Sequence, residues 1–293
     1  MQPHEIEQLC RGVVPGKGSV DVLPLGAGLI RETYRIARDG AAYALKVPAE
    51  HRPSLGLDFA WEVRVLERAG NAGVAPPVVY CDAERGILIA RWMAGRSWSA
   101  QEAAAPENLG KIAALLHRVH ALGAPAPPRI ISPQSWADLY CAALPSRPAQ
   151  LTDPELSKTA AARGGELAKL PRANGVICHS DLHAMNLIQD GAALVLLDWE
   201  YAHVADPLWD LAGWSANNDF EAQSQWTLLT NYLGAAPAPS EWLRLRLLLW
   251  LYDYVCLLWS RLYLSVRGDG SNGVSERARL LDARLHIPAH YAA

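Results

Sequence analysis

Phenylalanine is scarce: the chain of 293 residues holds 2, against 11 tryptophans. Indole faces thus take the place of the commoner aromatic filler, and a site that uses such faces is expected. Positive charge is not in excess either. Lys and Arg total 27 and Asp and Glu 30, a formal net charge of −3. No basic surface is offered to nucleic acid or anionic lipid. Cysteine pairs are missing: Cys10, Cys81, Cys141, Cys178 and Cys256 are odd in number, scattered, and form no C-x-x-C motif. That pattern excludes a disulfide framework and fits reduced, buried thiols in a cytosol. The opening MQPHEIEQLCRGV has no basic-then-apolar order, so no secretory signal is read there and a cytoplasmic location is expected. Nor is there an uncharged apolar run approaching the ~20 residues that a membrane span needs. The most apolar window, Leu245 to Leu264, carries Arg246, Asp253 and Arg261 and reads as a core helix. No internal repeat is found, and no low-complexity tract beyond alanine richness.

The chain is 51% hydrophobic and 19% charged, enough apolar material for a core at a length that suggests about two domains. Its N-terminal part reads as mixed α/β. Val20 to Leu23 is a short strand, Leu25 to Leu29 a flexible turn, and Thr33 to Ala37 a second strand. Asp39-Gly40 is a hairpin turn signal. After it Ala42 to Val47 alternates, with Tyr43, Leu45 and Val47 on one face and Ala44 and Lys46 on the other. Asp58 to Ala69 reads as a helix capped by Asp58 and stopped by Gly70. Gly86 to Ala90 is a buried strand that Arg91 to Gly95 leaves irregularly. From Pro106 the pattern turns helical, with Leu109, Ile112, Ala113, Leu116 and Val119 on one face. Polar or Pro-rich connections are read near residues 123–128 and 142–175. Val176 to Cys178 and Leu194 to Leu197 are short strands bracketing a polar loop.

That loop is the densest run of chemistry-bearing residues: His179-Ser180-Asp181-Leu182-His183-Ala184-Met185-Asn186-Leu187. Asp198-Trp199-Glu200 follows behind the next apolar strand. Phosphoryl transfer needs such a set: one carboxylate for the acceptor's proton, and an Asn with a second carboxylate for Mg²⁺. Hard oxygen ligands suit that ion. The segment, with Asp198-Trp199-Glu200-Tyr201-Ala202 and Asp206-Pro207-Leu208-Trp209-Asp210-Leu211-Ala212, resembles the aminoglycoside phosphotransferase/choline kinase superfamily. Within it, the bacterial thiamine kinase and choline kinase branch is most similar.

The resemblance covers roughly residues 20 to 265. It implies an α+β, two-lobed protein-kinase-like fold, with a small antiparallel-sheet lobe over residues 1–92 and a helical lobe over residues 93–293. ATP is expected in the cleft between the lobes. Asp181 is implied as catalytic base, and Asn186 and Asp198 as Mg²⁺ ligands. A kinase-like lobe also needs a glycine-containing hairpin, a strand Lys and a helix Glu that holds it. Gly26 and Gly28, Lys46 and Glu62 stand in that order. Leu29, Ile30 and Arg31 after Gly28 depart from the protein-kinase glycine pattern. Trp92 and Met93 are expected at the hinge and the adenine.

Plainer readings stand beside these. The near P-loop Gly12 to Ser19 has one residue too few between its glycines, and Gly18 replaces the required Ser or Thr. His179-x-Asp181-x-His183 in extended backbone would put three ligand types on one face, a transition-metal hydrolase reading with no further His or Cys cluster behind it. His179 is better read as a loop-orienting residue. Trp199, Trp209, Trp214, Trp226, Trp242, Trp250 and Trp259 follow the catalytic loop, and most are expected to pack the helical lobe. One or two, with Tyr252 or Tyr254, could instead face an organic cation, which indole attracts by about 0.5–2 kcal/mol. His183, Glu200, Asp210, Trp214 and Asp253 are candidate substrate contacts on that reading. The expected activity is ATP- and Mg²⁺-dependent phosphorylation of a small cationic alcohol such as thiamine, choline or ethanolamine. No nucleic-acid or membrane partner is expected. An aminoglycoside phosphotransferase and a catalytically silent nucleotide-binding module are the rival readings.

Overall fold

A computed structural model of the chain describes residues 1, 3–27, 31–49, 57–143, 153–171, 173–267 and 273–291. The backbone forms two units, Met1–Arg96 with Ile188–Glu200, and Ser97–Leu187 with Tyr201–Ala293. Gly28, one of the two expected loop glycines, lies outside the described residues.

Alternation builds the first unit. Tyr43, Leu45 and Val47 on β3 (Ala41–Pro48) are buried, while Ala44 and Lys46 between them are part-exposed. The other strands are β1 (Asp21–Ala27), β2 (Arg31–Arg38), β4 (Val78–Asp82) and β5 (Ile87–Arg91). They pair antiparallel in the order β1-β2-β3-β5-β4. The buried face packs with Ile6, Cys10 and Val14 from α1 (Pro3–Val13) and its end. Helix α2 (Phe59–Asn71) starts at Asp58, whose carboxylate accepts from the Trp61 N–H at 2.9 Å. It passes Gly70 and ends two residues beyond the expected span. The near P-loop has a structural use: the Lys17 N–H donates to Asp39 Oδ2 at 2.7 Å and the Gly18 N–H to Oδ1 at 3.1 Å. Those amides brace the β2–β3 turn, where Asp39 and Gly40 both have positive φ.

Residues 188–200, expected with the helical lobe, belong to the first unit. They contain most of β8 (Leu187–Asp190) and all of β9 (Ala193–Leu196); β8 lies between β9 and β6 (Arg96–Ser97). The Leu196 N–H donates to the Val74 carbonyl at 2.8 Å, and Asp198 pairs with Lys46. Both are tertiary bonds that local polarity cannot announce.

The second unit is helical: α3 (Ala100–Ala104), α4 (Pro106–His120), α5 (Pro133–Ala142), α6 (Pro154–Lys169), α7 (Leu208–Asn217), α8 (Ala222–Leu233), α9 (Pro239–Arg267) and α10 (Val274–Leu285). A two-stranded antiparallel ladder joins β7 (Val176–Cys178) to β10 (His203–Ala205). Helix α6 lies inside the expected 142–175 connection. Asp153 caps it and Pro154 opens it, but only Leu156 and Ala160 are buried, so no apolar stripe marks it. Helix α9 is long and apolar enough to cross a membrane, yet it is mostly buried against α5, α6, α7 and α10. Its buried charges are partnered. Arg246 donates to Gln225 and to the His290 carbonyl, while Asp253 accepts from Arg284 at 2.5 Å and from the Tyr291 hydroxyl at 2.6 Å.

Candidate active site

Strand β7 ends at Cys178, and the chain then turns sharply: Ser180 has φ 70, a left-handed conformation unusual for a side-chain-bearing residue. Asp210, fully buried on α7, holds that turn. Its carboxylate accepts from the His179 N–H at 2.9 Å and the Ser180 N–H at 2.8 Å, and Oδ2 lies 3.2 Å from His120 Nε2. Burial pushes its pKa up, but His120, His179 and the Ser180 amide outweigh that push and keep it low. Asp210 is therefore a brace for the loop, away from the substrate role expected for it.

Asp181 follows the turn. Its N–H donates to His179 Nδ1 at 3.3 Å, which gives His179 the loop-orienting place expected of it. Asn186 Nδ2 donates to the Asp181 carbonyl at 2.9 Å and to Oδ2 at 3.1 Å. His183 Nε2 lies 3.7 Å from Oδ2, an ion-pair distance too long for a hydrogen bond. Burial raises the Asp181 pKa, but His183, His179 and Arg277 together lower it below the usual carboxylate value. The group is ionised at neutral pH and able to take a proton from an alcohol.

Asp181 and His183 line a cavity of about 180 Å³ within the second unit. Its walls include Trp136 and Tyr140 from α5, Trp209 from α7, and Tyr252 and Trp259 from α9, with Tyr201. Trp209 tilts against Tyr252 with ring centroids 5.1 Å apart, and the Trp259 N–H donates to the Tyr201 hydroxyl at 2.9 Å. Ser180, Val255, Cys256 and Arg277 also line it. Tyr252 was a candidate from sequence. Tyr254 lies elsewhere, bonded to Ser157 at 3.1 Å. Trp214 is buried edge-on against Trp98, and Asp253 is committed to Arg284 and Tyr291. Neither lines the cavity, because both belong to the packed helical core. Burial raises the Cys256 pKa to about 11, so this thiol is no nucleophile. Among the described residues, the group that comes within metal-ligand distance is His120, Cys178 and Asp210, not His179, Asp181 and His183. Asp210 is already spent on the loop, and the Cys178 thiol is pushed far up by burial.

A second cavity, about 200 Å³, lies within the first unit and is lined by Lys46, Glu62, Trp92, Leu88, Ala90 and Asp198, among others. The expected Lys46–Glu62 brace is not formed. Lys46 pairs with Asp198, while Arg31 grips both oxygens of Glu62, with Nη1 to Oε1 at 2.7 Å. The physical reason is geometric: a guanidinium fork matches a carboxylate on two bonds, which an ammonium cannot do. Arg31 is 9% exposed, lies 4.8 Å from the Phe59 ring centre, and has Nε 3.9 Å from Glu200. Burial drives the Glu200 pKa up to about 7 against the pull of Lys46 and Arg31. Glu200 thus joins this network, not the aromatic cavity. Asp198 sits at φ 57, a second strained position beside a functional side chain. Trp92 lines the cavity and carries Arg35 over its ring at 5.5 Å, whereas Met93 is not among the lining residues. Gly26 is exposed on β1, opposite Thr33. Arg31 and Arg277 escaped the sequence reading, because the partners that give them meaning are distant in the chain.

Comparison with known proteins gives the family and the fold. A family model described as "Phosphotransferase enzyme family" matches residues 21–248. No curated protein matches. Among solved structures, a choline/ethanolamine kinase family protein from Mesorhizobium loti is 23% identical, with TM-score 0.76 over 99% of this chain and 97% of that one. Choline kinase LicA from Streptococcus pneumoniae, in a complex with AMP, is 20% identical, with TM-score 0.75 over 99% and 98%. A thermostable aminoglycoside phosphotransferase variant bound to ADP and hygromycin B is 18% identical, with TM-score 0.65 over 99% of each chain. These likenesses carry the protein-kinase-like α+β fold, and the family match covers most of the chain, including the loop between β7 and β8 and the whole lining of the first-unit cavity: the chain belongs to the phosphotransferase enzyme family.

Proposed function

We propose that this phosphotransferase moves the γ-phosphoryl group of ATP to the hydroxyl of a small organic alcohol. The observation that carries the reading is Asp181, an ionised carboxylate held on a braced loop and facing an aromatic cavity. It orients the alcohol and takes its proton as the oxygen attacks. Lys46, in the first-unit cavity with Trp92, steadies nucleotide phosphates; Arg31, through Glu62, keeps that cavity's carboxylate from competing for Lys46. Asn186 spends its amide N–H bonds on Asp181, which leaves its oxygen for a cation, and Asp198 offers a carboxylate. Both are hard donors of the kind Mg²⁺ takes, and the ion would neutralise phosphate charge. Catalysis is then mostly positioning and charge neutralisation.

The acceptor reading favoured is a small cationic alcohol, of the thiamine, choline or ethanolamine kind. Indole and phenol faces attract ammonium groups, and the 180 Å³ cavity is below the ~300–1,000 Å³ of drug-sized sites. A multi-ring aminoglycoside is the less supported alternative. ATP dependence and scattered thiols support a cytoplasmic place for the enzyme. ADP release with and without Mg²⁺, across thiamine, choline, ethanolamine and kanamycin, tests the reading. Asp181→Asn should keep nucleotide binding and lose roughly 10²- to 10⁴-fold in kcat. A near-native kcat in that variant would remove Asp181 from the base role. Tight ATP binding with no turnover of any alcohol would favour a silent nucleotide-binding module.

A further inference from the structure

The aromatic cavity is not an acidic one. Of the acids that could balance an organic cation, Asp210 is spent on the loop amides, Asp253 on Arg284 and Tyr291, and Glu200 belongs to the other unit. Its lining holds one carboxylate, Asp181, one imidazole, His183, and one guanidinium, Arg277, beside phenols and the Cys256 thiol. Arg277 stands in the first turns of α10 and is fixed in place. Its Nη2 donates to Asn217 Oδ1 at 2.6 Å, and it bonds the Cys256 side chain. The same Asn217 donates to the Leu182 carbonyl at 2.8 Å and to the Tyr252 hydroxyl at 3.1 Å. One amide therefore ties the guanidinium, an aromatic wall and the catalytic loop together. Among the described residues no carboxylate is ion-paired with Arg277, so this solvent-exposed guanidinium keeps the donors not spent on Asn217 and Cys256 open to an anion at the cavity lining.

Resting on the kinase reading, we infer that Arg277 is a specificity-determining residue and that the acceptor is a zwitterionic alcohol. Its ammonium lies against the indole and phenol walls, its hydroxyl reaches Asp181, and a carboxylate-class anion meets Arg277. A bare quaternary alcohol would set a like charge in the same small cavity as the guanidinium. An added carboxylate turns that repulsion into a charge-assisted contact.

Two matched pairs of primary alcohols test the inference: choline against N,N,N-trimethylserine, and ethanolamine against serine, each differing by one carboxylate. The wild-type chain should show kcat/KM about tenfold or more higher for the carboxylate member of each pair. Arg277→Gln should collapse that ratio, chiefly through KM, and Arg277→Lys should restore part of it. Calorimetric binding of choline and trimethylserine to the Asp181→Asn variant reads the same preference without turnover. A wild-type preference for the bare cation overturns the inference. So does an equal loss on both members through kcat, which would make Arg277 only an electrostatic neighbour of the base. No ADP release from any alcohol would instead break the kinase reading, while the calorimetric ratio still decides for or against Arg277. Retained thermal unfolding in both Arg277 variants separates these outcomes from misfolding.

Discussion

Arg31 shows how one buried charge organises its surroundings. It starts β2, grips Glu62 on two bonds, and stands near Glu200. Removing it as Arg31→Met leaves Glu62, 2% exposed, without its counter-charge. Breaking a buried pair from one side costs about 3–5 kcal/mol, because the survivor is uncompensated. The double variant Arg31→Met/Glu62→Met should cost less than the single one. Urea midpoints at constant slope measure both, and a double variant no better than the single would show that the two residues are not coupled. The pair was invisible in the sequence for a definite reason. Asp181, Asn186 and Lys46 sit in local patterns, whereas Arg31 and Glu62 are 31 residues apart and join only through the folded sheet and helix. What could be read was the departure from the usual glycine loop at Arg31, without its purpose.

Helices and strands were legible where burial is periodic and obscure where it is not. The β2–β3 hairpin and α4 announce themselves through alternation and through a spaced apolar face. Strand β4 is part-buried at every residue and α6 buries only two side chains, so neither has a periodic signature. Close packing of α7 on α9 is another feature of this kind. A β-carbon on Gly213 would stand 2.8 Å from the Tyr252 ring, so glycine is needed there for approach, not for flexibility. Gly213→Ala should cost about 1–3 kcal/mol by overpacking. It should also move Tyr252, a wall of the aromatic cavity, and so raise KM for the acceptor more than KM for ATP. Steady-state kinetics with each substrate varied in turn measures the split. Equal changes in both constants would count against the placement of the acceptor.

The chain passes between its two units at three junctions, 96/97, 187/188 and 200/201. Residues 1–96 alone therefore lack β9 and Asp198, so the Val74 carbonyl loses its Leu196 partner and Lys46 its counter-charge. That fragment should show no cooperative urea transition, and appending residues 188–200 through a short linker should restore one. A cooperative, full-slope transition in the bare fragment would contradict this account. The same threading matters for recombination. A chimaera that exchanges only the N-terminal segment inherits the donor's sheet but keeps the recipient's β8–β9 hairpin and its Asp198. Homologous shuffling that respects this molecule must move two gene segments together, and single-crossover libraries should be depleted of active members between those segments.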